Sequence, residues 1–132
     1  MCKIGDIILI KKYKDGNNQL GRHSFIVIDD RNDSIEGLPY DMICNVLSSF
    51  KNDEQKERKL RYKGNFPISH DDTMTNPDNG NNGYVKADQL YYFKKDKIEY
   101  RVIGNVLPDI LSLLFEFISE SDFPIVDIID NL

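Results

Sequence analysis

The sequence is poor in several residue types, and each shortage excludes a class of protein. Cys2 and Cys44 are its only cysteines and are far apart in sequence, so we expect neither a disulfide framework nor a zinc site, and both thiols should be reduced. No apolar run approaches the roughly 18 residues that a membrane-spanning helix needs, and the N-terminus lacks the pattern of a cleaved signal. The sequence therefore predicts a soluble, cytoplasmic protein that does not bind a membrane.

Histidine is also scarce, so proton chemistry near neutral pH has few candidates. His23 and His70 are the only histidines, and His70 lies in the segment SHDD, Ser69–Asp72. Imidazole and carboxylate groups bind divalent ions, but a full ligand set is missing and two adjacent aspartates are typical of the start of a turn. We therefore predict no metal and no other cofactor.

Basic residues are unevenly distributed along a chain whose net charge is -5. Residues 108–132 contain six acids and no lysine or arginine, whereas residues 1–107 contain 17 bases and 16 acids. Residues 51–63 hold six bases and three acids, and Lys11, Lys12 and Lys14 form a second basic group. The net charge argues weakly against a nucleic-acid partner, and basic groups of this kind are usually solvated surfaces, although they are also the residues that would contact an anionic partner.

Length and patterning predict a single domain spanning residues 1–132. Apolar and β-branched runs predict strands, and these runs cover residues 4–13, 23–30, 40–48, 64–70, 84–93 and 97–106. The run 23–30 is apolar on both faces, which is typical of a central strand. Pro67 places its strand at a sheet edge or a bulge.

Turn-forming residues and helical spacing fill the intervals between these strands. We predict a mobile loop over 14–21, a turn over 31–39 and a flexible loop over 71–83. A short polar helix is predicted over 52–59, and an amphipathic helix after Pro108. The segment 122–132 either folds back or docks on a partner chain. This order fits a mainly β (α+β) fold, a small, strongly bent antiparallel β-barrel with a closing helix.

The ends of two predicted strands carry side chains that could act on a phosphodiester. If strands 23–30 and 40–48 pair, a guanidinium, an imidazole, two hydroxyls and an ammonium meet at one rim; these belong to Arg22, His23, Ser48, Ser49 and Lys51. RNA supplies its own nucleophile, the 2′-hydroxyl, so cleavage needs proton transfer and hydrogen-bond donors around the phosphorus. That route requires no metal.

The order of these pieces resembles the PemK/MazF family of toxin endoribonucleases across nearly the whole chain. The similar segments are GDIILI, FIVIDD, MICNVLSSF, NFPIS, VKADQLYYFKKDKI and IGNV. The resemblance implies an SH3-like antiparallel β-barrel with a C-terminal helix and a homodimer. It also implies metal-independent cleavage of single-stranded RNA, leaving a cyclic phosphate and a 5′-hydroxyl, and a cognate antitoxin made of protein or RNA.

The resemblance also implies roles for individual residues. Ser48 matches the family's catalytic threonine. Counting back from FIVI places His23 at the family's catalytic arginine and Arg22 one residue early, so either a bulge restores Arg22 or His23 replaces it. We favour His23 as the proton carrier, with Arg22 or Lys51 holding the phosphate. The segment SSFK is also similar to the hydroxyl-rich turn and lysine of related RNA-antagonised toxins, so that arrangement stays open.

Further residues are predicted to bind RNA, and two other functions stay open. The predicted RNA-binding residues are Lys14, Ser49, Lys51, Arg58 and Arg61, with residues 14–20 as a lid. The acidic residues 120–132 are predicted to cover a basic groove or to complete the dimer. A non-catalytic SH3-like module that binds RNA or protein is the first alternative. An inactive member of the family is the second.

Overall fold

The structure, a computed structural model, describes residues 2–16, 18–68, 75–76 and 83–132, and for residues 75–76 it describes the backbone alone. Within these ranges the strands are β1 (Asp6–Ile10), β2 (Tyr13–Asp15), β3 (Asn18–Leu20), β4 (His23–Asp29), β5 (Asp33–Ile35), β6 (Leu38–Tyr40), β7 (Met42–Ser49), β8 (Asn65–Ile68), β9 (Thr75–Asn76), β10 (Gly83–Lys86), β11 (Gln89–Phe93), β12 (Tyr100–Val106) and β13 (Val126–Asn131). The helices are α1 (Asp53–Leu60) and α2 (Pro108–Ser119), and one 3-10 turn covers Lys95–Lys97. The prediction of a mostly β chain with one or two helices is confirmed.

The main sheet is built around β4, whose apolar run forms its centre as predicted. Its strand order is β13-β11-β7-β4-β1-β12-β9, and β4 pairs antiparallel with β1 on one side and β7 on the other. Phe25, Ile26 and Val27 are fully buried because their side chains alternate between two apolar clusters on opposite faces. In the described part of the chain β13 and β9 do not pair, so the sheet is not closed there.

The second edge of β7 is shared by two strands where the sequence predicts one. The predicted strand 84–93 breaks at Ala87–Asp88 into β10 and β11, which pair with different ends of β7. The side-chain amide of Asn45, fully buried in β7, donates to the carbonyl oxygens of Lys86 at 3.3 Å and Gln89 at 2.8 Å. These bonds join the buried centre of β7 to the backbone on both sides of the break, so Asn45 holds the bend.

Two segments predicted as a loop and a turn are hairpins. The prediction of a loop over 14–21 is wrong, whereas the turn predicted over 31–39 is present but is confined to two residues between paired strands. In the first, β2 pairs with β3 across a turn at Gly16, which has a positive φ of 63°. In the second, β5 pairs with β6 across Glu36 and Gly37, which both have positive φ, as the tight turns between paired strands require. Of the predicted loop 71–83, Thr75–Asn76 pair with β12 and Gly83 begins β10, and the rest lies outside the described residues.

The residues at the start of each helix explain where it begins. The side chain of Asn52 accepts a hydrogen bond from the Gln55 N–H and caps α1, and Pro108 occupies the first turn of α2. Leu114 is the buried residue of α2 and packs in the cluster formed by Ile7, Ile26, Val85 and their neighbours. Neither helix in the described ranges is long and apolar enough to cross a membrane.

The C-terminal segment folds back on its own sheet, which answers the question its sequence leaves open. Strand β13 pairs with β11 in parallel, and the Tyr92 hydroxyl donates to the Asp127 carboxylate at 3.0 Å. The Asn131 amide accepts from the Lys14 N–H at 2.6 Å and donates to the Lys14 carbonyl at 3.0 Å. The strand therefore fastens hairpin β2–β3 to the sheet, and this hairpin is not the mobile loop predicted.

The core next to this hairpin is aromatic. Phe25 lies edge-on to Tyr13, Tyr91 and Phe93, with ring centroids 5.0, 5.3 and 5.4 Å away. Cys2 and Cys44 are buried free thiols in the same cluster, and burial raises the pKa of the Cys44 thiol. Both cysteines therefore pack as small hydrophobic residues.

Candidate functional site

A polar cleft of about 450 Å³ opens where the central strands end, and we call it the strand-end cleft. It lies beside the first residues of β4 and the last residues of β7. The lining residues are Leu9, Arg22, His23, Ser24, Leu47, Ser48, Ser49, Lys51, Gln55, Lys59 and Tyr84. The structure therefore brings together the five residues whose convergence the sequence predicts.

The pairing register explains why these strand ends meet. The ladder between β4 and β7 closes with Ser24 opposite Leu47, so His23 and Ser48 are the next positions outward on the two strands. Strand β10 lies on the other side of β7 and places Tyr84 opposite Ser48. Side chains alternate between the two faces along a strand. His23 and Ser48 therefore project from one face of the sheet, and Ser24 and Leu47 project from the opposite face. The cleft takes in both sets because it lies at the rim.

His23 is exposed but its ring has a fixed neighbour. Its centroid lies 5.8 Å from that of Tyr13 in an edge-to-face arrangement, and Tyr13 is only 4% exposed. Burial, and then the nearby Asp15 carboxylate, raise the pKa of the Tyr13 phenol, which therefore stays neutral. The imidazole therefore packs on a neutral, buried ring, and His23 itself stays exposed at the cleft.

Arg22 precedes the first residue of β4, and its backbone is outside the ladder. It nevertheless lines the same cleft as His23. The one register irregularity between β4 and β7 lies between Val27 and Asp29, away from this end. Arg22 therefore reaches the cleft without a bulge beside it, and which of the two residues takes the family's arginine role stays a prediction.

Helix α1 forms the wall opposite the strand ends. The Lys51 N–H donates to the Gln55 side-chain oxygen at 2.6 Å, which joins the end of β7 to the helix. Gln55 and Lys59 are four residues apart and so lie on one face of α1, and both line the cleft. Neither residue is among the predicted site residues, although the helical period of the predicted helix is a signal that identifies them.

Three residues predicted to bind RNA do not line this cleft. Arg58 is exposed and lies about 100° around α1 from Lys59, and Arg61 is the exposed residue after the helix. Lys14 lies on hairpin β2–β3 and lines a different cleft of about 600 Å³ together with Lys11, Lys12 and Lys97. We call this second space the lysine cleft. The hairpin is tied to Asn131, so the structure gives no support to a free lid.

Tyr84 adds an aromatic residue that the sequence analysis also missed. It is 4% exposed, and its ring stacks on Phe50 with centroids 5.1 Å apart and an interplanar angle of 29°. Gly83 permits this approach, because a Cβ there would overlap the Ser48 carbonyl oxygen and lie 3.1 Å from its carbon. The packing of β10 against the end of β7 therefore fixes Ser48 from the side opposite His23.

The arrangement can bind an anion and move a proton. Arginine and lysine side chains bind phosphate oxygens, imidazole exchanges protons near neutral pH, and serine hydroxyls donate or accept hydrogen bonds. The segment SHDD, for which the sequence predicts a turn and no metal, lies outside the described residues. Over the ranges that are described, no three His, Cys, Asp or Glu side chains are grouped to hold a metal ion.

Comparison with known proteins does not place the chain in a family. No protein-family model matches it, and no curated protein matches it.

Proposed function

We propose that this protein is a metal-independent endoribonuclease that cleaves single-stranded RNA. The observation that carries the proposal is the composition of the strand-end cleft, where a guanidinium, an imidazole, hydroxyls and two ammonium groups line one space. These are the groups that transesterification at a phosphodiester requires. The resemblance to PemK/MazF toxins supports the same interpretation, with the protein as the toxin of a toxin–antitoxin system.

In the proposed reaction the 2′-hydroxyl of the substrate attacks the adjacent phosphorus. A base takes the proton of that hydroxyl, the bond from phosphorus to the 5′-oxygen breaks, and the leaving oxygen gains a proton. The products are a 2′,3′-cyclic phosphate and a 5′-hydroxyl. His23 carries a proton in one of these transfers, Arg22 or Lys51 neutralises the non-bridging oxygens, and Ser48 donates a hydrogen bond to them.

The proposal also includes the barrel fold, the partners and the location that the family resemblance implies. Strand β7 pairs with β4 on one edge and with both β10 and β11 on the other, a bend that suits a small SH3-like barrel. A homodimer, a cognate antitoxin that blocks the cleft and a cytoplasmic location follow from the family resemblance alone.

The test is incubation of the purified chain with a mixed single-stranded RNA in EDTA, followed by mapping of the cut ends. We expect cuts that carry a cyclic phosphate and a 5′-hydroxyl. His23→Ala should slow cleavage by about 10²–10⁴-fold, and Ser48→Ala by about 10²-fold or more. The matched control is Ser112→Ala, because Ser112 is exposed on α2 and outside the cleft, and it should leave the rate unchanged.

The alternative of a non-catalytic RNA-binding module predicts a different result. RNA would then bind, with an affinity that His23→Ala leaves unchanged, and no cut ends would form in wild-type protein. That result would refute the ribonuclease. Expression of the intact chain offers a second readout, since a toxin stops growth and the His23→Ala and Ser48→Ala variants relieve the arrest.

A further inference from the structure

The lysine cleft is a second concentration of positive charge, on a face of the molecule not assigned to the reaction. It lies between hairpin β2–β3, the residues after β1, the 3-10 turn and the end of β13. Its exposed basic side chains are Lys11, Lys12, Lys14 and Lys97. The whole chain carries a net charge of -5, so this positive charge is local.

The acidic side chains of the lysine cleft already have partners. Glu99 forms an ion pair with Lys11 at 3.4 Å, and the Asp130 carboxylate accepts a hydrogen bond from the Gly16 N–H at 3.0 Å. Within the described ranges, Lys12 and Lys14 form no ion pair with a carboxylate, and neither does Lys97. The lysine cleft therefore offers unneutralised cations to an anionic ligand.

A third space joins the lysine cleft to the strand-end cleft. It has a volume of about 420 Å³, and we call it the bridging cleft. It shares Leu9 with the strand-end cleft, and Lys11 and Glu99 with the lysine cleft. Leu9 pairs with Ser24 of β4 and with Arg101 of β12, and Arg101 also lines the bridging cleft. Each neighbouring pair of clefts shares lining residues, so the three spaces lie next to one another in a row, which we call the cleft path.

We infer that this path binds an extended single strand of RNA, and that the lysine cleft holds phosphates several nucleotides away from the scissile one. The inference rests on the proposed function and extends it to the length of substrate that the site engages. Proteins that bind single strands combine a positively charged groove along the backbone with local base contacts. Here the path carries eight basic side chains against two acidic ones along its three clefts.

The experiment measures binding of single-stranded DNA, which lacks the 2′-hydroxyl and so is not cleaved by the proposed route. Strands of about 4 and about 16 nucleotides cover the usual range of single-strand site sizes. The variant combines Lys12→Gln, Lys14→Gln and Lys97→Gln. A control with the same change in net charge combines Lys3→Gln, Lys56→Gln and Lys63→Gln, three exposed lysines outside the three clefts.

We expect the cleft variant to weaken binding of the long strand at least tenfold at low salt, and to leave the short strand unchanged. The slope of log affinity against log salt should fall by about 0.7 for each phosphate that a lysine no longer neutralises, or about 2 for all three. In cleavage assays, KM for long RNA should rise while kcat stays the same. The control should change the affinity for either strand by much less.

Three outcomes would overturn the inference. The first is an equal loss of affinity for cleft variant and control, and the second is an equal loss for long and short strands. The third is lysine-dependent binding of poly-glutamate with no preference for the longer nucleic acid, which would assign the cleft to an acidic protein. Failure of the proposed function is distinguishable, because wild-type protein would then leave even short RNA uncut.

Discussion

Replacing Asn131 with alanine should loosen the attachment of hairpin β2–β3 to the C-terminal strand, while the bond from the Gly16 N–H to the Asp130 carboxylate stays. The Asn131 side chain is 9% exposed, and it makes both of its hydrogen bonds to the backbone of Lys14. Each such bond contributes about 0.5–1.5 kcal/mol net, so the substitution should lower the free energy of unfolding by about 1–3 kcal/mol. A loss of about 2 kcal/mol changes the folding equilibrium about 30-fold.

Equilibrium unfolding in urea measures the loss, and hydrogen exchange locates it. The Lys14 amide should exchange faster in Asn131→Ala, whereas amides in the centre of β4 should change only as far as global stability does. Asn18→Ala is the matched control, because Asn18 is exposed on the same hairpin. A difference between the two variants of less than about 0.5 kcal/mol, within the range of ordinary surface substitutions, would refute the assignment of the Asn131 contacts as a clamp.

Three further predictions concern packing, pH and thiol chemistry. Gly83→Ala should lower the unfolding free energy by about 1–3 kcal/mol, because the added methyl would overlap a backbone oxygen of β7. Gly21→Ala is the control, because a Cβ at Gly21 would meet open space. Equal urea midpoints for the two variants would contradict the predicted overlap at Gly83. Burial and a carboxylate partner raise the pKa of Tyr92, so its neutral form stabilises the fold. That stabilisation is complete below the ordinary tyrosine pKa of about 10 and is lost as the pH rises through the folded-state value. Urea titrations should therefore show a smaller alkaline loss for Tyr92→Phe, and equal losses would count against the Tyr92 contact. Burial also raises the pKa of Cys44, so iodoacetamide should modify it only after unfolding, and rapid labelling of native protein would disprove its burial.

The elements that the sequence predicts well are those whose own residues determine them. The apolar run of β4 requires two paired edges and two covered faces, and the structure supplies both. Pro67 predicts an edge, and β8 pairs with β10 alone within the described residues. The break between β10 and β11 depends instead on Asn45, more than 40 residues earlier. Local propensity carries no information about such a distant donor.

The same distinction applies to the candidate site. The convergence of Arg22, His23 and Ser48 follows from the pairing of two strands whose buried faces fix their register. The prediction for Arg58 and Arg61 rests on charge alone, and charge does not specify a helix face. Hairpin β2–β3 is rich in polar turn-forming residues, which favour a loop. It is ordered because β13 supplies partners that no local pattern could indicate.

The Asn131 contacts also affect the order in which parts of the fold form during synthesis. Lys14 and Asn131 are 117 residues apart in sequence, so this contact cannot close until the residues between them have been made, and it raises the contact order of the fold. A nascent chain therefore completes its central strands, and the packing of Tyr13 against Phe25, before Asn131 is available to bind Lys14. Synthesis of residues 126–131 is thus the step that adds the Asn131 bonds to the hairpin next to the imidazole, and premature termination before Val126 would leave the Lys14 backbone without them.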